Sequence, residues 1–122
     1  MNGNILITGV AGFIGSNLAD SLIKNNFKVI GIDNLSYGVY EQIPKGVNFH
    51  KADIRDKNIY DLFHDVEYVF HLAAKNSIID CENNPSETSD INVNGTINIF
   101  DAALKHKINK VIYAESSAVY EG

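Results

Sequence analysis

The stretch Thr8–Ser16, TGVAGFIGS, decides how this chain is read. It begins where a short apolar run, Asn4 to Thr8, ends, and it leads into residues with helical spacing. Its glycines stand at positions 9, 12 and 15. Gly9 permits a tight turn out of a strand. Gly12, lacking a Cβ, lets an anionic group approach the backbone. Gly15 lets the following helix pack close to the sheet. The start of that helix offers unpaired N–H groups and the positive end of its dipole to a phosphate. A glycine string alone is weak support for such a site, so the flanking elements carry the argument.

Outward from this turn, strand and helix patterns alternate. Strands are expected at Asn4–Thr8, Lys28–Ile32, Val47–Lys51, Tyr68–Leu72 and Lys110–Ala114. A helix is expected over Gly12–Asn25, with Ile14, Leu18 and Leu22 on its buried face. Asp56 is placed to cap a short helix reaching His64. A long helix should run from Pro85 to Lys107, burying Val93, Ile97, Phe100 and Leu104. The strands are near-continuous apolar runs, the pattern of a sheet covered on both faces. The fold expected is a doubly wound parallel α/β sheet of the Rossmann type. Sheets of this type usually continue past a fifth strand, so residues 1–122 are expected to be an incomplete dinucleotide-binding domain, truncated after about five strands and lacking a C-terminal substrate domain. A small five-stranded domain complete in itself is the alternative.

The second strand leads to Asp33, 18 residues past Gly15. A carboxylate there can accept hydrogen bonds from both adenosine ribose hydroxyls and repel a 2′-phosphate, so NAD is expected over NADP. The other reading makes Asp33 a turn residue and gives the glycines a purely conformational role.

Composition bounds the remaining classes. The chain has 122 residues, 45% hydrophobic and 20% charged, an ordinary mixture for one globular domain. A net charge of −5 argues against a nucleic-acid partner. No apolar run approaches the ~20 residues of a membrane span, and the N-terminus does not read as a signal peptide. Cys81 is the single cysteine, so no internal disulfide forms and a cytoplasmic setting is expected. His50, His64, His71 and His106 show no metal-ligand spacing, so no metal is expected.

Five further segments join the glycine turn in order: GIDNLSYG (Gly31–Gly38), KADIRD (Lys51–Asp56), HLAAK (His71–Lys75), NVNGT (Asn92–Thr96) and YAESSAVY (Tyr113–Tyr120). Together they resemble the extended short-chain dehydrogenase/reductases, specifically the NAD-dependent sugar epimerase/dehydratase family. The resemblance implies that Phe13 and Ile14 contact the pyrophosphate through backbone amides. It implies that Asp33 and Asn34 hold the adenosine ribose, with the loop Leu35, Ser36 to Gly38 alongside. Asp53 and Ile54 would border the adenine, Asp53 accepting from its amine. Leu72, Ala73 and Ala74 would line the passage to the nicotinamide ribose, and Asn92 would brace the site below the nicotinamide. Ser116 matches the catalytic Ser/Thr, whose hydroxyl bonds the sugar hydroxyl being oxidised. The implied partner is a nucleotide-diphosphate sugar, a UDP-sugar first of all, and related enzymes pair into homodimers through the long helix.

The chain departs from the family pattern at Glu115, where a small residue is usual, and at Glu121, where glycine is usual. A buried carboxylate at 115 would need a partner. The family's base, a tyrosine four residues before a lysine and about two dozen residues past the Ser/Thr, lies beyond Gly122. The activity implied is C4 epimerisation through a 4-keto intermediate, this chain supplying the NAD-binding part. Two alternatives stand beside it, a nucleotide-sugar 4,6-dehydratase and a non-catalytic NAD-binding module. Acidic residues follow the Ser/Thr in the family's dehydratases; Ser117 and Ala118 stand there in this chain, which favours the epimerase.

Overall fold

The computed structural model describes residues 3–116 and Tyr120. The strands are β1 (Asn4–Thr8), β2 (Lys28–Asp33), β3 (Asn48–Lys51), β4 (Val66–His71) and β5 (Lys110–Tyr113). The α-helices are α1 (Phe13–Lys24), α2 (Ile78–Asn83), α3 (Pro85–Ser89) and α4 (Gly95–Lys105). The five strands form one parallel sheet in the order β3-β2-β1-β4-β5. In β1 every residue from Ile5 to Thr8 is buried, because helices cover this central strand on both faces. One core lies between the sheet and α4 with the segment Lys57–Phe63, and holds Leu6, Ile32, Phe63, Val69 and Ile99. The other lies under α1 and holds Ile5, Ile7, Val10, Ala19 and Val29.

α1 buries a different face from the one its large residues suggested. Gly15, Ser16 and Ala19 face inward, Leu18 and Leu22 flank them, and Ile14 is exposed. The helix lies too close to the β1 turn for anything larger. A Cβ on Gly15 would stand 2.2 Å from the carbonyl oxygen of Gly9.

The long helix is corrected more deeply. Helical backbone does run from Pro85 to Lys105, but Asp90–Asn94 form a π-turn between α3 and α4, and α2 precedes them as a separate helix. The expected buried stripe points outward, with Val93 56%, Ile97 60%, Phe100 41% and Leu104 77% exposed. Gly95, Asn98, Ile99, Ala102 and Ala103 are buried instead. Close approach again selects small residues, since a Cβ on Gly95 would fall 2.6 Å from Ile54 Cδ1. Asn98 can face inward because its amide donates to the carbonyls of Ile54 (2.8 Å) and Asp56 (3.0 Å) while its oxygen accepts from the Tyr60 hydroxyl.

The expected helix after Asp56 is a 3₁₀ segment, Lys57–Phe63; Asp56 caps it by accepting the Asn58 amide at 2.9 Å.

Candidate functional site

Strand register brings the candidate residues to one edge. Thr8 pairs with Ile32 on one side and His71 on the other, Asp33 pairs with Lys51, and His71 pairs with Tyr113. The chain leaves every strand at this carboxyl edge. β1 is followed in sequence by β2 on one side, while β4 lies on its other side, so the glycine turn sits where the strand order reverses. In open sheets of this kind, ligands bind there.

Gly9 adopts φ +76°, a left-handed conformation that favours glycine, and its amide donates to Ile32 O at 2.8 Å. A Cβ there would also stand 2.9 Å from the Ala73 amide nitrogen, so turn and passage touch. Gly12 sits at the N-cap of α1, where no side chain caps the helix. The first helical bond runs from the Ser16 amide to Gly12 O, which leaves the first-turn amides without intrahelical partners. Phe13 and Ile14 are exposed beside them, and a Cβ on Gly12 would meet only Gly9 O, at 3.4 Å. An open surface lined by free N–H groups at a helix start fits an anionic pyrophosphate.

Asp33 is half-buried and already organised. Its Oδ2 accepts the Ala11 amide at 3.0 Å and its Oδ1 the Leu35 amide at 2.8 Å. Asn34 accepts the Ser36 amide, and Gly38 packs on Ala11, where a Cβ would fall 2.6 Å from the alanine's own. The loop through Gly38 is thereby folded onto the glycine turn.

Asp53 and Ile54 follow β3 at the same edge. The Asp53 carboxylate is engaged by Arg55, through Nε to Oδ1 at 3.0 Å and Nη2 to Oδ2 at 2.7 Å. The guanidinium holds its carboxyl below the usual range. Ile54 points its side chain into the core, leaving only its backbone for a ligand.

A cavity of about 200 Å³ opens at the ends of β4 and β5, lined by His71, Leu72, Ala73, Ala74, Asn92, Thr96, Tyr113 and Ala114. Its walls are set by a directional hydrogen-bond chain. Thr8 Oγ1 accepts the amides of Leu72 (3.0 Å) and Ala73 (3.1 Å) and lies 2.7 Å from His71 Nδ1. His71 Nε2 lies 2.9 Å from Thr96 Oγ1, which donates to Asn92 O at 2.6 Å. The Asn92 side chain then pairs with the Lys75 backbone in both directions, at 2.8 and 2.9 Å. Burial holds the His71 pKa down at about 4, so the ring is neutral. The roles of Thr8, His71, Thr96 and Lys75 escaped the sequence reading; for Thr8 and His71 the signal was a polar residue closing an apolar strand. A larger cleft, about 440 Å³, opens at the opposite sheet edge beside Asn4, Lys28 and Asn48, remote from the glycine turn.

Ser116 lies past the end of β5 at the same edge and is exposed. Glu115 is exposed too, and accepts the Tyr120 hydroxyl at 3.2 Å, so it is not the buried carboxylate that would have needed rescue. Ser117, Ala118 and Glu121 lie outside the described residues. Among the described residues, no group of three His, Cys, Asp or Glu could hold a metal ion, and no helix is long and apolar enough to cross a membrane.

A parallel sheet in this order, with a glycine turn at its reversal point and a carboxylate ending β2, defines a dinucleotide-binding Rossmann domain. Residues 5–122 match the NAD dependent epimerase/dehydratase family, and the chain belongs to it. The family is NAD dependent. The chain is 47% identical over 119 residues to a putative UDP-glucose 4-epimerase of Methanocaldococcus jannaschii, covering 95% of this chain and 39% of that protein. It is 40% identical over 124 residues to a UDP-N-acetyl-alpha-D-glucosaminuronate decarboxylase of Bacillus cytotoxicus, covering 98% and 38%. The crystal structure of Thermus thermophilus UDP-glucose 4-epimerase complexed with NAD superposes with a TM-score of 0.87 at 33% identity, covering 93% and 37%. The chain thus spans about two fifths of each of these relatives.

Proposed function

We propose that this chain is the NAD-binding part of an enzyme that epimerises a UDP-sugar at C4 through a 4-keto intermediate. The observation that carries the reading is the gathering of the glycine turn, Asp33, the Leu72–Ala74 passage and Ser116 at one sheet edge. The names of the relatives supply the substrate class. The amides of Phe13 and Ile14 hold the pyrophosphate at the start of α1, with Gly12 leaving room for it. Asp33 accepts from the ribose hydroxyls, and Asn34, Leu35, Ser36 and Gly38 keep its loop in place. Leu72, Ala73 and Ala74 line the nicotinamide side, where Asn92 braces the Lys75 backbone. Bound NAD supplies a reversible hydride acceptor. Ser116 holds the reacting sugar hydroxyl, and the proton is taken by a tyrosine base outside residues 1–122.

Ala118 carries no proton-transfer group, and Glu115 is turned to Tyr120. A dehydratase needs both an acid and a base beyond the catalytic hydroxyl, so epimerisation is favoured. The exposed face of Val93, Ile97, Phe100 and Leu104 supports pairing with a second copy as a homodimer. The test supplies full-length protein with UDP-glucose, UDP-N-acetylglucosamine, UDP-glucuronate and dTDP-glucose and identifies the products by NMR. A C4 epimer is expected; a 4-keto-6-deoxy sugar as main product overturns the reading. Residues 1–122 by themselves are expected to show no turnover.

A further inference from the structure

We propose that Arg55 is the positioning residue for base recognition at the adenine end, aiming one lone pair of Asp53 at an exocyclic amine. This rests on the proposed NAD-binding function, with the adenine beside Asp53 as the family resemblance implies.

Asp53 follows β3 with a side chain 33% exposed, and on its own would be free to rotate. Arg55 removes that freedom. Its guanidinium takes Asp53 side-on through Nε and Nη2, and its own amide donates to Oδ1 at 2.9 Å. Its third arm, Nη1, donates to Asp90 Oδ2 at 2.9 Å. Asp90 opens the π-turn, and its other oxygen accepts from the Asn94 side chain, Nδ2 to Oδ1, at 2.9 Å. The fork is therefore anchored on carboxylates from two elements, and cannot swing without breaking both contacts. Below it, Ile54 packs against Gly95 and ties the loop backbone to α4.

The consequence is an asymmetric acceptor. Oδ1 already takes two donors, while Oδ2 takes Nη2 alone among the described residues. An ionised carboxylate accepts and never donates. The acceptor direction left on Oδ2 matches the amine of adenine, whereas the carbonyl of a 6-oxopurine would set acceptor against acceptor. Lysine cannot replace the fork, since a point charge holds one oxygen without fixing the plane.

The test titrates full-length protein with NAD and with its deamino analogue, in which hypoxanthine replaces adenine. Wild type is expected to prefer NAD by about 10-fold or more, the worth of a hydrogen bond to a charged group. Asp53→Ala, Arg55→Ala and Arg55→Lys should each bring the ratio to within about 3-fold of unity. The lysine variant keeps the charge and serves if the alanine variant does not fold. Arg55 variants that keep the wild-type ratio while Asp53→Ala loses it overturn the role of Arg55. An Asp53→Ala protein that keeps the ratio shows instead that the base is not at Asp53, and the cofactor placement itself falls.

Discussion

The hydroxyl of Thr8 gives its proton to Nδ1 of His71. It lies 2.7 Å from that nitrogen and already accepts two backbone amides, so its single hydrogen has no other assignment in the network. The ring therefore carries its own proton on Nε2, directed at Thr96, and Thr96 passes the chain to Asn92. One neutral imidazole links the residue before Gly9 to the helix behind the cavity.

That chain makes the fold acid-sensitive. The His71 pKa is about 4 in the folded state against an ordinary 6.5, so the unfolded chain takes up a proton first as pH falls. Stability from this group is complete above pH 6.5 and is lost at up to about 1.4 kcal/mol per unit between 6.5 and 4. Asp53, Asp90 and Asp101 are held below the usual carboxylate range, so their contribution is lost at lower pH still. Denaturant midpoints of the full-length protein between pH 7.5 and 4.5 should show this slope. His71→Gln should be less stable at neutral pH, with the slope flattened; an unchanged slope would show that another group titrates.

Gly12 and Gly15 should separate binding from folding. A methyl at Gly15 meets the Gly9 carbonyl, which is backbone and cannot yield, so Gly15→Ala should cost about 3 kcal/mol and lower the melting temperature. Gly12 has φ −81° and an open outer side, so Gly12→Ala should cost no more than about 1 kcal/mol, the disadvantage of alanine at an N-cap. Its NAD affinity should nevertheless fall about 10-fold or more, since the methyl occupies the pyrophosphate's approach. Thermal melts beside calorimetric titration distinguish the two outcomes.

Asp33 should set cofactor choice. Asp33→Ala should weaken NAD about 10- to 100-fold, the loss of hydrogen bonds to a charged group, and weaken NADP much less. Part of the change comes from the loop, because Ala11 and Leu35 lose their acceptor. Asp33→Asn restores only one acceptor oxygen and sets its NH2 against the Ala11 or the Leu35 amide, so it should recover NAD binding only in part while keeping the narrowed preference. NADP bound by wild type as tightly as NAD would refute the assignment.

Ile97→Glu with Leu104→Glu should leave the core intact, since both side chains are exposed. Sedimentation of the full-length double variant should shift from dimer to monomer with little change in monomer stability. A dimer of undiminished affinity would place the interface elsewhere.

Much of this protein was legible in its sequence because the signals are local. Short apolar runs such as Ile5–Ile7, Val29–Ile30 and Val111–Ile112 marked the strands, and TGVAGFIGS marked a tight turn entering a helix. Asp33 needed no tertiary information beyond the end of its strand. Helix faces were not legible. α4 is apolar on two sides, and the choice between them depended on how closely it approaches the sheet, which admits Gly95 and Ala102 and turns Ile97 and Leu104 outward. The π-turn at Asp90–Asn94 and the distant partner of Arg55 were hidden for a related reason. Arg55 meets Asp90 across 35 residues, and His71 meets Thr8 across 63, and no local pattern encodes such pairs. Sequence alone determined where the chain turns and, to within one residue, where its strands end. Tertiary structure decided which polar groups meet at that edge, because hydrogen bonds between distant residues exist only once the sheet has brought them within 3 Å.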